Sequence, residues 1–465
     1  MIDLGHLKGR RIAVMGLARS GLTAARALKA AGATLLAWDD GAGGQKAAAE
    51  AGIDLTNLHD TDFTGLDALV LSPGIPHTYP APNPIAAKAK AAGVPIISDI
   101  ELLRQAQTKA TYVGITGTNG KSTTTSLVAH IIAGTGRPTQ VGGNLGIPAL
   151  SFEPLGAGGV YVLEMSSYQL EITPSLGFDA AVLLNITPDH LDRHGGMDGY
   201  IAAKKLIFQK GMATGTQVAV IGIDDPHCAK MALELDAEFP GKVIRISAEG
   251  PVSGGIGVEN GILVDDRGGH HHPVTDLATL PALPGKHNWQ NAAAAYALAR
   301  AVGINHADIL DGLRTFPGLA HRQSLVATID GIRFVNDSKA TNADAAAKAL
   351  ACYQPIYWIL GGKAKDTGLD GLDDFMPAVA YAFLIGDATE EFAKWLAARG
   401  VPYTRCGTMD VAVKEAFTHA RLERREHPVV LLSPACASFD QYPNFEVRGD
   451  DFASHVKALS AGGIV

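Results

Sequence analysis

The stretch VGITGTNGKSTTTS, residues 113–126, decides how this chain is read. A short apolar run leads into a turn with two glycines, Gly117 and Gly120, and a Gly-Lys-Ser-Thr junction opens the helix that follows. Glycines at those places let the backbone turn tightly and aim its N–H groups inward. Lys121 then reaches the β- and γ-phosphates of a nucleotide, and Ser122 offers a hydroxyl to Mg²⁺. The helix presents its positive end to the same phosphates. An ordinary Gly/Thr turn between strand and helix is the plainer alternative. The strand before, the helix after and the Gly-Lys-Ser-Thr junction together favour a phosphate site. The match to the strict G-x-x-x-x-G-K-[ST] pattern is incomplete, since the residue five before Gly120 is Ile115.

Upstream, RRIAVMGLARSGLTAARALKAAGATLLAWDD reads as strand, glycine turn, helix and second strand, a βαβ unit. Its turn holds Gly16 and Gly21, but Ala18 stands where a dinucleotide site places its middle glycine, so NAD is disfavoured. The helix start still attracts phosphate, with Arg19 and Ser20 as added donors. Asp39 ends the second strand, where it meets a sugar or base. LSPGI, with Gly74, supplies a second loop. These features suggest a nucleotide-diphosphate site for a substrate, against the alternative of a purely structural turn.

Downstream, GVYVLEMSS, AAVLLNIT and TQVAVIGIDD are apolar runs ending in polar residues, as strands buried on both faces of a parallel sheet are. Residues 242–284 suggest short β structure and loops, and NAAAAYALARAVG a helix. GIRFVND, PIYWILGG, YAFLIGD and PVVLLSPA supply strands of a last segment. The expected class is α/β in three domains. Residues 1–100 form a Rossmann-like domain, 101–317 a central P-loop ATPase-like domain with a mostly parallel sheet, and 318–465 a second Rossmann-like domain.

The net charge of −8 argues against a nucleic-acid protein. Cys228, Cys352, Cys406 and Cys436 have no C-x-x-C spacing, which disfavours a disulfide framework or zinc knuckle. No run reaches the roughly 18 apolar residues a membrane span needs, and a cytoplasmic protein is expected.

Glu164 ends a buried strand, where a carboxylate is costly unless it meets a cation, and Mg²⁺ is the expected one beside a phosphate loop. His190 follows the next strand. His190 and His194 are four apart, yet no H-E-x-x-H and no third ligand accompany them, so zinc is disfavoured. His194, like His270, His271 and His272, is expected at the surface. Asn288 and Asn291 either cap the alanine-rich helix or, for Asn291, meet a purine edge. Lys204 and Lys205 alone read as solvated helix lysines.

The motifs stand in a fixed order: TGTNGKST, EMSSYQLE, NITPDHLDRH, YIAAKKLIF, GKHNWQN, AHR, NDSKATN and LSPACASFDQYPNFEVRG. Together, from about residue 10 to the C-terminus, they resemble the Mur ligase family, which builds the peptide stem of bacterial cell-wall precursors. The last two resemble the members that add D-glutamate. The resemblance implies an ATP-dependent ligase acting on UDP-N-acetylmuramoyl-L-alanine and D-glutamate through an acyl phosphate, as a monomer without nucleic acid or membrane partners. A family member adding another amino acid, or a P-loop regulatory ATPase, are the alternatives.

The resemblance also implies roles. Gly117, Thr118, Asn119, Gly120, Lys121, Ser122, Thr123, Asn291 and Arg322 bind ATP. Ser122, Glu164, His190 and Lys204 hold Mg²⁺, with Lys204 converted by CO₂ to a carbamate, and Lys121, Glu164, His190 and Lys204 serve catalysis. Arg19, Ser20, Asp39 and Gly74 face the uridine diphosphate, and Asn144 and His190 lie near the muramoyl group. Lys339, Thr341, Lys365, Ser438 and Phe445 surround D-glutamate.

Overall fold

The computed structural model describes residues 1–208, 218–364 and 368–461. They fall into two compact units, Met1–Leu277 with Asn288–Phe316, and Ala278–His287 with Pro317–Val465.

The first unit carries two sheets. One is a four-stranded parallel sheet in the order Thr34–Trp38, Arg11–Met15, Ala68–Leu71, Ile96–Ile97. The other has nine strands, in the order His272–Asp276, Ile262–Asp265, Ile256–Glu259, Lys242–Ile246, Val218–Gly222, Ala180–Leu183, Thr111–Thr116, Val160–Glu164, Thr139–Gly143. Its first three strands pair antiparallel and the rest parallel. The uninterrupted apolar strands are the central ones. Every residue of Val160–Glu164 and of Ala180–Leu183 is buried, because helices cover both faces of a parallel sheet.

Register then places the site. Ile115 pairs with Glu164 and Thr116 with Leu183, so the polar residues that follow these strands emerge side by side at their carboxyl ends. Neighbouring strands lie about 4.8 Å apart, and ligands of open α/β sheets bind at this edge.

The second unit holds a six-stranded sheet in the order Ser324–Ile329, Ile332–Asn336, Val429–Leu432, Ile356–Gly361, Val379–Ile385, Tyr403–Gly407, antiparallel only at its first pair. Trp358 and Phe383 are fully buried on opposite faces of this sheet, within separate apolar clusters.

Two helices illustrate how sequence drives packing. Lys121–Gly134 starts from Gly120 in the left-handed conformation (φ 84°), where a Cβ would also collide with the Asn291 amide oxygen. The alanines of Lys286–Ala301 are almost all buried, since small side chains let this helix lie close against its neighbours. No described helix is long and apolar enough to cross a membrane.

Candidate active site

The phosphate loop is tied down from several sides. The Thr118 amide donates to the Asn185 carbonyl (2.9 Å) and the Asn119 amide to the Asn185 side-chain oxygen (2.9 Å). The Thr118 hydroxyl lies 3.1 Å from the Tyr200 hydroxyl. Asn291 is buried; its oxygen accepts from Thr124 (3.2 Å) and its nitrogen donates to Asn288 (3.0 Å). The structure thus assigns Asn291 a bracing role against the phosphate-loop helix. Ser122 is buried in the first turn of that helix, with Thr123 beside it.

Lys121 curls back, its Nζ donating to the carbonyls of Gly117 (2.9 Å) and Thr118 (2.8 Å). Lys204 corrects the expectation of a solvated lysine. It is 2% exposed, and its Nζ donates to the same Gly117 carbonyl at 2.9 Å. Burial first, and the Lys121 charge second, push its pKa down to about 7. Lys205 turns the other way and pairs with Glu234 at 2.7 Å. Their helix, Met197–Lys205, sends successive side chains about 100° apart, so adjacent lysines end in different surroundings.

Glu164 is buried at its strand end. Its Oε1 accepts from Asn144 (2.8 Å), while Oε2 is buried without a hydrogen-bond partner. A carboxylate oxygen left so is expensive unless a cation meets it. His190 has a left-handed backbone (φ 51°) and a half-exposed ring that packs on Tyr168 at 5.4 Å. His194 is not a surface residue. It is 3% exposed, because its ring is enclosed between Tyr168 and Tyr200.

In the four-stranded sheet, Gly16 adopts φ 88°, and a Cβ on Gly21 would collide with the Gly16 carbonyl, so helix Arg19–Ala30 packs hard on the turn. Asp39 accepts from the amides of Leu17 (2.5 Å) and Gly41 (2.7 Å), bracing that turn. Arg19 donates to the Gly146 carbonyl, and Ser20 lies in the first helical turn. Gly74 has open space above it, and its carbonyl accepts from Arg193 at 3.0 Å.

In the second unit, the Lys339 Nζ stands 4.0 Å above the centre of the Phe445 ring. Ser438 is buried and Thr341 half-buried. Arg322 follows His321, whose carbonyl accepts from the Lys339 amide at 3.0 Å. Lys365 lies outside the described residues.

Several residues here were not singled out from sequence. Asn185 follows a buried apolar run, the same signal that marked Glu164, whereas Asp337 follows the mixed strand Ile332–Asn336. Asp337 accepts from Ser433 (2.9 Å) and the Gln323 amide (3.2 Å), and burial lifts its pKa to about 7. Arg448 is 1% exposed and donates to Ser338 and to the Cys436 carbonyl.

Residues 115–299 match the family described as the Mur ligase middle domain. The UDP-N-acetylmuramoylalanine–D-glutamate ligase of Paramagnetospirillum magneticum is 51% identical, over 100% of both chains. Ligases of the same name from Rhodospirillum rubrum (50% identical, 99% of this chain and 97% of that one) and Caulobacter vibrioides (49%, 100% and 99%) match equally fully. Among solved structures, the UDP-N-acetylmuramate-alanine ligase of Thermotoga maritima has a TM-score of 0.56 at 17% identity, covering 96% of this chain and 99% of that one, a likeness of fold. With about half its residues shared over essentially the full length of both chains, the chain belongs to the Mur ligase family.

Proposed function

We propose that this chain joins D-glutamate to UDP-N-acetylmuramoyl-L-alanine, converting ATP to ADP and phosphate, in the cytoplasmic synthesis of peptidoglycan precursors. The observation that carries this reading is the end-to-end identity, near one half, with ligases of that name. In this assignment residues 1–100 hold the uridine diphosphate end, 101–317 the ATP and 318–465 the amino acid.

The terminal carboxylate of the alanyl substrate attacks the γ-phosphorus of ATP, giving an acyl phosphate and ADP. The amine of D-glutamate then attacks the acyl carbon, and phosphate leaves as the amide forms. Lys121 and the phosphate-loop amides hold the phosphates in place. The Lys121 ammonium, now spent on two backbone carbonyls, is close enough to be recruited by an arriving phosphate. Asn291 and Arg322 are assigned to ATP, Arg19, Ser20, Asp39 and Gly74 to the uridine diphosphate, and Asn144 and His190 to the muramoyl end.

The side chains present fit Mg²⁺. Glu164 offers a buried unpartnered oxygen and Ser122 a hydroxyl, with His190 and Lys204 completing the assigned set. Among the described residues no group of three or more His, Cys, Asp or Glu forms a metal cluster. Mg²⁺ suits such a sparse set, since it takes one or two carboxylates and draws its other ligands from phosphates and water. When bound it supplies neutralisation of charge on the transferring phosphoryl group.

Lys204 is assigned as a carbamate. Its amine is buried and its pKa lies near 7, so a neutral amine able to add CO₂ is present at physiological pH. The product is an anionic oxygen donor, and the released proton goes to solvent. Lys339, Thr341, Lys365, Ser438 and Phe445 are assigned to D-glutamate.

The test is phosphate release across a grid of UDP-muramoyl precursors and amino acids. Turnover is expected only with ATP, Mg²⁺, UDP-N-acetylmuramoyl-L-alanine and D-glutamate together. Equal release without D-glutamate, or a preference for L-alanine, contradicts the assignment.

A further inference from the structure

His194 lies behind the catalytic centre of the first unit, and none of the roles above uses it. Its Nε2 is 2.9 Å from the Ser167 hydroxyl, and its Nδ1 is 3.4 Å from Glu171 Oε1. The ring stacks on Tyr168 (centroids 5.3 Å apart, planes 14° apart) and meets Tyr200 at 5.4 Å. A Cβ on Gly199 would collide with the His194 carbonyl, so the helix bearing Tyr200 and Lys204 starts tight against this residue.

The two aromatic neighbours lead to reacting groups. Tyr168 carries the His190 ring on its other contact. The Tyr200 hydroxyl reaches Thr118 of the phosphate loop, and its ring lies beneath the Lys204 Nζ at 4.7 Å. A buried ring bonded to Ser167 through Nε2 and packed against two tyrosines has little freedom, and the two rings packed on it are held in turn.

We propose that His194 is a positioning residue. Its ring sets Tyr168 and Tyr200, and through them the places of His190, Lys204 and Thr118. The stacked ring, filling the space between the two tyrosines, transmits the position, and the hydrogen bond to Ser167 adds stability. This inference rests on the function proposed above, since it concerns the same centre. Reacting groups displaced by about 1 Å lose on the order of a hundredfold in rate, so a residue of this kind acts on kcat more than on KM.

The experiment is steady-state phosphate release by the full chain, with thermal melting to follow folding, for His194→Ala, His194→Phe and Tyr168→Leu. His194→Ala is expected to lower kcat at least about tenfold with each KM within about threefold. His194→Phe keeps a ring between the two tyrosines without the Ser167 bond, and is expected to hold kcat within about threefold of wild type even as its melting temperature falls. A purely structural role predicts the reverse, with lower stability and an unchanged kcat per folded molecule. Wild-type kcat in folded His194→Ala, or a His194→Phe enzyme as slow as His194→Ala, overturns the proposal. Should His194→Ala fail to fold, Tyr168→Leu decides, because Tyr168 is only half-buried and its loss opens no core. A kcat reduced about fivefold or more supports the proposal, and an unchanged kcat overturns it. If the wild-type enzyme itself does not need D-glutamate, the functional reading fails, and the comparison among variants is made on whichever phosphate release the wild type shows.

Discussion

The phosphate loop of the first unit and the Lys339–Arg448 region of the second handle positive charge in opposite ways. In the loop, the side-chain nitrogens of two lysines, Lys121 and Lys204, converge on the one carbonyl of Gly117. Their mutual repulsion contributes to the low pKa of Lys204. In the second unit, Lys339 rests over an aromatic face and the Arg448 guanidinium donates to two backbone carbonyls and a serine hydroxyl. The loop therefore gathers two basic side chains on one backbone carbonyl. The second unit uses its buried arginine to hold the segments carrying Ser338 and Cys436 together.

The comparison breaks most directly at Lys204. With a carbamate there, Lys204→Arg is expected to fail as completely as Lys204→Ala, each losing on the order of 10²–10³ in kcat, because keeping a positive charge is no help to an anionic ligand position. Lys205→Ala, which only removes a half-exposed ion pair with Glu234, stays near wild type. Parallel kcat measurements check this, and an active Lys204→Arg enzyme removes the carbamate from the picture.

Next in size are the second-unit residues. Losing a hydrogen bond to a charged group costs about 1.5–3 kcal/mol, or roughly ten- to a hundredfold. Ser438→Ala and Thr341→Ala should raise KM for D-glutamate by about that factor and leave KM for ATP unchanged, with Lys339→Ala worse. Varying each substrate in turn tests this; weakened ATP with unaltered D-glutamate would move these residues to the nucleotide.

A smaller effect sharpens the loop side. Gly120→Ala forces a side chain into a left-handed conformation and against Asn291, at a cost of about 1–3 kcal/mol. Thermal melting should register the loss. Gly74→Ala, with open space and no positive φ, should not melt earlier.

The last signal is a pH slope in the second unit. Burial raises Asp337 from 3.8 to about 7. Between those values the unfolded chain releases a proton that the folded chain keeps. The stabilisation is thus complete below pH about 4 and is lost as pH rises through 7, with a slope of at most about 1.4 kcal/mol per pH unit. Asp337→Asn should flatten the stability profile over that window, and an unchanged slope would show that other groups set it.

The sequence by itself determined the class of fold and the strand, glycine turn and helix around residues 111–134. Buried parallel strands such as Val160–Glu164 must be continuously apolar, and a polar residue ending such a run stands out, as Glu164 does. The edge strands Thr139–Gly143 and Ser324–Ile329 are half-exposed, with mixed patterns, and were not legible. Neighbourhood was decided only by the tertiary structure. Lys204 and Lys205 are chemically alike and adjacent, yet one is buried on Gly117 and the other paired on the surface with Glu234. His194 reads as a surface histidine until Tyr168 and Tyr200 close over it. Local sequence encodes periodicity and turn chemistry, which depend on residues a few positions apart. Burial of a polar side chain depends on what packs against it, and for these residues the decisive partners come from other elements of the fold: Gly117 lies 87 positions from Lys204, and Ser167 lies 27 from His194.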